Sequence, residues 1–286
     1  MALSARLPTT LDTNKFVPEI WSKLVEEAAK SNLVAFDAIN GQFRGDLVKG
    51  DTLYIPKTNT VTATEVVVGT KGATLNPFNT AAATLVIDQW WEAPVDIDDM
   101  SNFQSQVELE DYAAGEAAYA VNKKIDSTVC ALFSALNGGI IKGTDGSALT
   151  DDVLIEIAEI LNEADVPDKE RSLIVDPSGL ADMLKIDKLL TADYISKKGA
   201  IENGIIGHSI YGCLVRVTNN LTAVAAGTGN YGVMLQKRAI GGAIQIQKPW
   251  VKRFEELHNT RFQAEALWGV VEVRDDFGVP FYTRKA

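Results

Sequence analysis

Few residues in this chain have the types and spacing that support chemistry, and each one sits in a context that argues against it. Gly207-His208-Ser209 puts an imidazole next to a hydroxyl, as at the start of a nucleophile elbow. An elbow needs glycine on the far side of its sharp strand-to-helix turn. Tyr211 stands at that position, so a turn before a strand is the plain reading, with a hydrolase using Ser209 and His208 as its rival. Gly227-Thr-Gly-Asn-Tyr-Gly232 spells the dinucleotide fingerprint, which must follow a strand, open a helix and meet an acid some 20 residues on. Here Gly232-Val-Met-Leu-Gln236 reads as strand, and a turn is expected. Gly138-Gly-Ile-Ile-Lys-Gly143 has its lysine before the last glycine and no Ser or Thr after it, so it is a connector and not a phosphate loop.

Asp96, Asp98 and Asp99 suggest a calcium loop, but Ser101 and Val107 occupy the positions where that loop needs glycine and a bidentate Glu. A solvated turn or a cap at the foot of a helix is expected instead, with a weak surface cation site as the alternative. His208 and His258 are the only histidines and have no Cys or His at ligand spacing, which argues against zinc. Cys130 falls in a helical pattern and Cys213 in a strand-like one, so free thiols fit better than a disulfide. No catalytic residue, cofactor or metal is expected.

The elements that would carry these residues are unusual in their order. Residues 1–15 mix Pro8, Thr9, Thr10, Asp12, Thr13 and Asn14 with scattered leucines and read as an extended arm. From Pro18, the residues Ile20, Trp21, Leu24, Val25, Ala28 and Ala29 recur at helical spacing up to about Asn32. Asp51 to Lys57, Val61 to Val68 and Thr84 to Gln89 have the alternation or the Val/Thr content of strands, with Gly69, Gly72, Asn76 and Pro77 between them. A two-stranded ribbon of this kind is marginal by itself. The adjacent Trp90 and Trp91 point to opposite faces on a strand, so that one can enter the core while the other meets a neighbouring chain.

From about Val107 to Leu136 a 3.6-residue period predicts one helix roughly 45 Å long, stopped by Asn137-Gly-Gly. Alanines stand where a coiled coil would need larger knobs. Beyond Gly143 the pattern becomes α/β. Thr150-Asp-Asp caps a helix that ends before Pro167, Leu173-Ile-Val175 is a buried strand, and Asp176-Pro177 opens a second helix. Strands follow at Ile210 to Thr218 and Tyr231 to Gln236, and the tail from Arg261 to Tyr282 supplies strands that close back on the long helix. No segment repeats. At 286 residues and 46% hydrophobic the chain can bury a sizeable core. Its formal charge of −11 argues against wrapping nucleic acid. The first residues lack a signal peptide's basic and apolar regions, and nowhere do about 18 apolar residues run together, so neither secretion nor a membrane partner is expected.

Arm, ribbon, long helix and α/β unit follow one another in an order that resembles the major capsid (coat) proteins of tailed bacteriophages, with the fold first described for phage Hong Kong ninety-seven. The resemblance rests on Phe16-Val-Pro-Glu-Ile-Trp21, Asp51-Thr-Leu-Tyr-Ile-Pro56, the stretch Asp88 to Asp99, Ser172-Leu-Ile-Val-Asp-Pro177, and Gly207 to Asn219. It implies an α+β fold in which residues 1–40 form an N-terminal arm and short helix, 41–92 an extended β-hairpin loop, and 93–145 a peripheral domain with a spine helix. Residues 146–242 would form an α/β axial domain, and 243–286 the returning strands of the peripheral domain.

The implied function is mechanical. Copies form pentamers and hexamers of an icosahedral head, assembled in the bacterial cytoplasm, that encloses double-stranded DNA without reading its sequence. A separate scaffolding protein is the expected partner because the chain begins at the arm, and a portal and decoration proteins would join later. Candidate subunit-interface residues are Phe16, Trp21, Tyr54, Lys57, Lys71, Phe78, Trp90 and Trp91. Some relatives weld subunits through a Lys–Asn bond, but no acceptor Asn aligns with Lys57 or Lys71. An encapsulin-type nanocompartment shell would share the fold and is the nearer rival. Arm and hairpin are expected to find cover only on other copies.

Overall fold

The computed structural model describes residues 34–41, 50–58, 63, 80–99, 109–186, 210–225, 227–246 and 250–285. The expected arm, its short helix and the strand at Val61 to Val68 fall outside them, apart from Ala63. Strands β1 (Thr52–Thr58) and β2 (Thr80–Val86) pair antiparallel, with Thr52 opposite Val86 and Thr58 opposite Thr80. After a break at Ile87-Asp88 the chain continues as β3 (Gln89–Asp98), so the stretch from Thr84 to Asp98 is divided between two sheets. Helix α1 (Leu109–Ala131) leads through α2 (Asp151–Glu163), β4 (Arg171–Val175) and α3 (Pro177–Met183) to β5 (Leu214–Val217). Then come β6 (Gly229–Gln236), β7 (Ile240–Ile246), β8 (Trp250–Phe254), β9 (Asn259–Glu272) and β10 (Gly278–Arg284).

The fourteen-residue β9 organises one half of the molecule. β3 pairs along one of its edges, while β8 and β7 follow one another along the other, all antiparallel. Because side chains alternate across a strand, β9 has two different faces. Phe262, Ala264, Ala266 and Trp268 face α1 in the first core, whereas Leu267 and Val271 face the β1–β2 hairpin. Alanines 113, 114, 117 and 118 are buried on α1, so the helix backbone lies close against the sheet. That is the packing reason for the alanines found where coiled-coil knobs would be.

The described part of α1 covers 23 residues, about 35 Å, and it stops at Ala131, short of the expected Leu136. Past Ala131 the chain tightens into a 3₁₀ turn at Phe133–Ala135, and Asn137, Gly138 and Gly139 take left-handed φ of 56°, 63° and 75°. The tighter turn aims Phe133 and Leu136 at the second sheet, where both are fully buried. Asp126 of α1, also fully buried, accepts backbone N–H groups of Val34 (3.1 Å) and Phe36 (3.3 Å). Burial pushes its carboxyl up from the usual range, and these hydrogen bonds oppose the shift.

The second sheet runs β10-β6-β4-β5, with β4 and β5 parallel and the other pairs antiparallel. Ile174, Val233 and Leu235 face the first core, while Leu173, Val175 and Met234 face α2 in the second. Both cores therefore rest on the same sheet. Asp176 caps α3 as expected, its carboxylate accepting the Gly179 N–H at 2.8 Å, with Pro177 in the first turn. Thr150 sits at the N-cap of α2, but its side chain makes no cap bond, and the negative first turn comes from Asp151 and Asp152. Among the described residues, no helix is long and apolar enough to cross a membrane.

Candidate functional site

The hairpin does not lack cover from its own chain, and this corrects the sequence expectation. Leu53, Ile55, Ala83, Leu85 and Ile87 alternate onto one face, where they pack against Ala243, Leu267, Val271 and Val273. Leu85 is fully buried and Ile55 is 8% exposed. The Ile87 N–H donates to the Asp51 carbonyl at 2.8 Å, closing the base of the hairpin. Close approach to β9 requires glycine, since a Cβ on Gly269 would lie 2.0 Å from the Val86 carbonyl oxygen. The opposite face of the hairpin is bare: Tyr54 is 69% exposed and Val86 44%.

Of the candidate interface residues, Tyr54 and Lys57 lie on β1, and Trp90 and Trp91 on β3. Phe16, Trp21, Lys71 and Phe78 lie outside the described residues. Trp90 and Trp91 do point to opposite faces, Trp90 paired with Leu267 and Trp91 with Ala266. Neither enters the core, because β3 is the outer strand at that point and α1 covers its inner face only in part. Trp91 lies under Lys124 of α1, whose Nζ is 4.2 Å from the ring centroid, and Trp90 stands 65% exposed beside the hairpin.

Further along this hairpin-side face, Glu92 is directly opposite Glu265, and Pro94 opposite Gln263. Gln263 Nε2 donates to Glu92 Oε2 and, at 2.8 Å, to Glu265 Oε1. Trp250 Nε1 donates to the same Glu265 oxygen at 2.7 Å. Sequence reading missed these four residues, since only the register brings strands 170 residues apart into one row.

Two members of the acidic triplet lie on a strand and not in a turn, while Asp99, directly after them, takes helical backbone. Asp96 and Asp98 lie on β3, and Asp96 accepts two hydrogen bonds from Arg261, at 2.6 and 2.8 Å. The Arg261 hydrogen bond holds the Asp96 carboxyl below its ordinary range. Asp99 pairs with Arg253 at 2.6 Å. Thus two of the three carboxylates are spent on pinning β3 and β8 to the β9 sheet. The dinucleotide-like letters are a turn leading into β6, where Asp145 accepts the N–H groups of Thr228 (3.0 Å) and Gly229 (2.9 Å).

His258 has φ 50° in the turn between β8 and β9. His208 and Ser209 fall outside the described residues. Cys130 and Cys213 are free and buried, and burial pushes both thiols up, that of Cys213 to about 11, which disfavours a nucleophilic thiolate. An open groove of about 650 Å³ on α2 is lined by Ile155, Ala158, Glu159, Asn162, Glu163 and Tyr211. The Tyr211 hydroxyl donates to Asp151, and burial together with that carboxylate pushes it up to about 12. Among the described residues, no imidazole, thiol or serine lines the groove. Among the described residues, no group of three His, Cys, Asp or Glu could hold a metal ion.

No family model and no curated protein matches this sequence. Solved structures do match. A chain from Mycobacterium phage Che8 superposes with a TM-score of 0.72 at 21% identity, covering 87% of this chain and 90% of its own. The capsid structure of cyanophage P-SCSP1u gives 0.63 at 16% identity, over 87% and 86% of the two chains. A virus-like particle from Pyrococcus furiosus gives 0.60 at 12% identity, over 92% and 98%. The α+β fold of this chain is the one found in phage capsid subunits.

Proposed function

We propose that this chain is a major capsid protein, a structural subunit that assembles into the pentamers and hexamers of an icosahedral phage head enclosing double-stranded DNA. The observation that carries the proposal is the fold match, which spans nearly the full length of both this chain and the phage chain. The bare outer face of the hairpin and the neighbouring Trp90 on β3 support it, because large exposed aromatics such as Tyr54 and Trp90 on a rigid β support suit contact with another copy. In this reading residues 41–92 are the extended loop and 93–145 with 243–286 the peripheral domain. Residues 146–242 form the axial domain, built on α2, α3 and strands β4, β5 and β6, to which β10 from the tail adds a fourth strand. The net charge of −11 suits a wall that must not hold DNA back. A scaffolding protein, a portal and decoration proteins complete the assembly pathway in the bacterial cytoplasm, and no reaction is assigned to the chain.

An encapsulin-type compartment is the second reading, favoured by the 98% coverage of the Pyrococcus furiosus particle chain. Electron microscopy of the native assembly, with assay of its nucleic acid, tests both. Closed shells that hold DNA support the capsid, and closed shells that hold protein cargo support the compartment. A stable monomer that turns over a small substrate would defeat both.

A further inference from the structure

We infer that the sheet face between Trp90 and Trp250 receives a lysine ammonium from a second copy of this chain. The inference rests on the shell reading and deepens it by naming the chemistry of one contact. Glu92 and Glu265 are directly opposed on one face of the β3–β9 ladder, where their side chains stand about 5 Å apart at Cβ. Like charges in that position repel. A protein keeps such a conflict where something else resolves it.

Within the described part of this copy, the resolution is incomplete. Gln263 offers one amide nitrogen to both carboxylates, and Trp250 offers one indole N–H to Glu265, both neutral donors. Arg261 lies on the same face, opposite Asp96, and is already committed to two hydrogen bonds with it. Neither Glu92 nor Glu265 forms an ion pair among the described residues. Glu265 is nonetheless 9% exposed, a depth at which a carboxylate ordinarily has a charged partner.

The flanks fit a cation as well. Trp90, 65% exposed, and Trp250, 37% exposed, border the carboxylate pair on β3 and β8, and indole faces attract ammonium groups. The other end of the face already shows this habit, with Lys252 Nζ 5.1 Å and the Arg261 guanidinium 4.8 Å from the Phe254 ring centroid. The occupant must be positive and must come from outside the described part of this copy. A second copy supplies one. Residues 57–79, which include the stretch joining the hairpin strands, contain Lys57 and Lys71 against the single acid Glu65, a net positive stretch in a chain of net −11. A neighbour's hairpin thus complements the carboxylate row in charge.

The test uses assemblies formed from a mixture of ¹⁴N- and ¹⁵N-labelled full chains and treated with a water-soluble carbodiimide. The reagent activates a carboxylate so that a touching lysine amine forms an amide, with the carbodiimide leaving as its urea. We expect Glu92 or Glu265 joined to a lysine in peptide pairs of mixed isotope, and we expect Glu92→Gln to raise the concentration needed for assembly on the order of tenfold. Glu92 and Trp90 are exposed, so neither Glu92→Gln, which removes a like-charge repulsion, nor Trp90→Ala should lower the melt of unassembled subunits. Cross-links found only within one chain, as when a lysine of the same copy's arm covers the face, overturn the inference. So do shells that form as readily with Glu92→Gln as without, and that result leaves the capsid reading standing. A wild-type chain that never associates overturns both.

Discussion

Gly269→Ala tests how the hairpin is held. The added methyl carbon would lie 2.0 Å from the Val86 carbonyl oxygen and 2.8 Å from its carbon, both backbone atoms that cannot rotate away. Ordinary contact needs more than 3 Å, so the base of β2 must lift from β9 by on the order of 1 Å, an overpacking strain of about 1–3 kcal/mol. If the hairpin leaves its sheet altogether, the upper bound is the burial of Ile55 and Leu85, about 2–3 kcal/mol for each side chain. The expected loss is therefore about 2–4 kcal/mol in urea unfolding of the unassembled chain, with sedimentation showing fewer or misformed particles. Leu85→Ala alone should cost a similar amount, about 2–5 kcal/mol. Because both changes weaken the same contact, the double variant should fall well short of the sum. An unchanged unfolding midpoint for Gly269→Ala would refute the close crossing of hairpin and β9, and strict additivity would show that Leu85 and Gly269 do not act through one interface.

Three further outcomes follow from the packing. Phe133→Ala should lower stability by about 3–5 kcal/mol while Leu132→Ala, half-buried at the core's margin, costs visibly less, and equal losses in thermal melts would contradict the 3₁₀ turn that separates them. Asp182 is buried against its own ionisation, but hydrogen bonds from Arg284, Lys185 and the Leu149 N–H together hold its carboxyl below the ordinary 3.8, so its contribution is present above that pH and lost as pH falls through the lowered value. Asp182→Asn should flatten the acid limb of a stability–pH profile, and a variant that still loses stability as steeply below pH 3.8 would refute that role. Replacing Thr58 to Thr80 by a short Gly-containing turn should keep the second core's melt and abolish shells, and intact shells would place the interface elsewhere.

What the sequence revealed and what it concealed divide along the distance over which each interaction acts. α1 was legible because its small and apolar residues recur at local helical spacing, and Asp176-Pro177 because a cap acts within three residues. The end of α1 was not, since Leu132, Phe133 and Leu136 fit a continuing helix and a 3₁₀ turn alike, and only the second sheet decides between them. The alternation of Leu53, Ile55, Leu85 and Ile87 announces a face that must be covered without saying whose surface covers it. Gly269, inside the run Trp268-Gly-Val-Val271, was the available cue that a backbone crosses there. Asp96 and Arg261 lie 165 residues apart, so no reading of local spacing could turn an expected solvated turn into a strand clamp.

The same distance rule alters the reasoning toward assembly. An uncovered hairpin was the first argument for neighbours, and the structure removes it, because one face of that hairpin is satisfied at home. What calls for a partner is narrower: the outward Tyr54 and Val86, and a row of carboxylates between two tryptophans that meets only neutral donors among the described residues. A hairpin fixed to its own sheet loses little conformational entropy when a second copy docks, so each such contact yields more of its gross interaction as net association. A subunit that presents rigid, charge-mismatched edges of this kind gains by meeting copies of itself in one geometry, which is the property a closed shell requires.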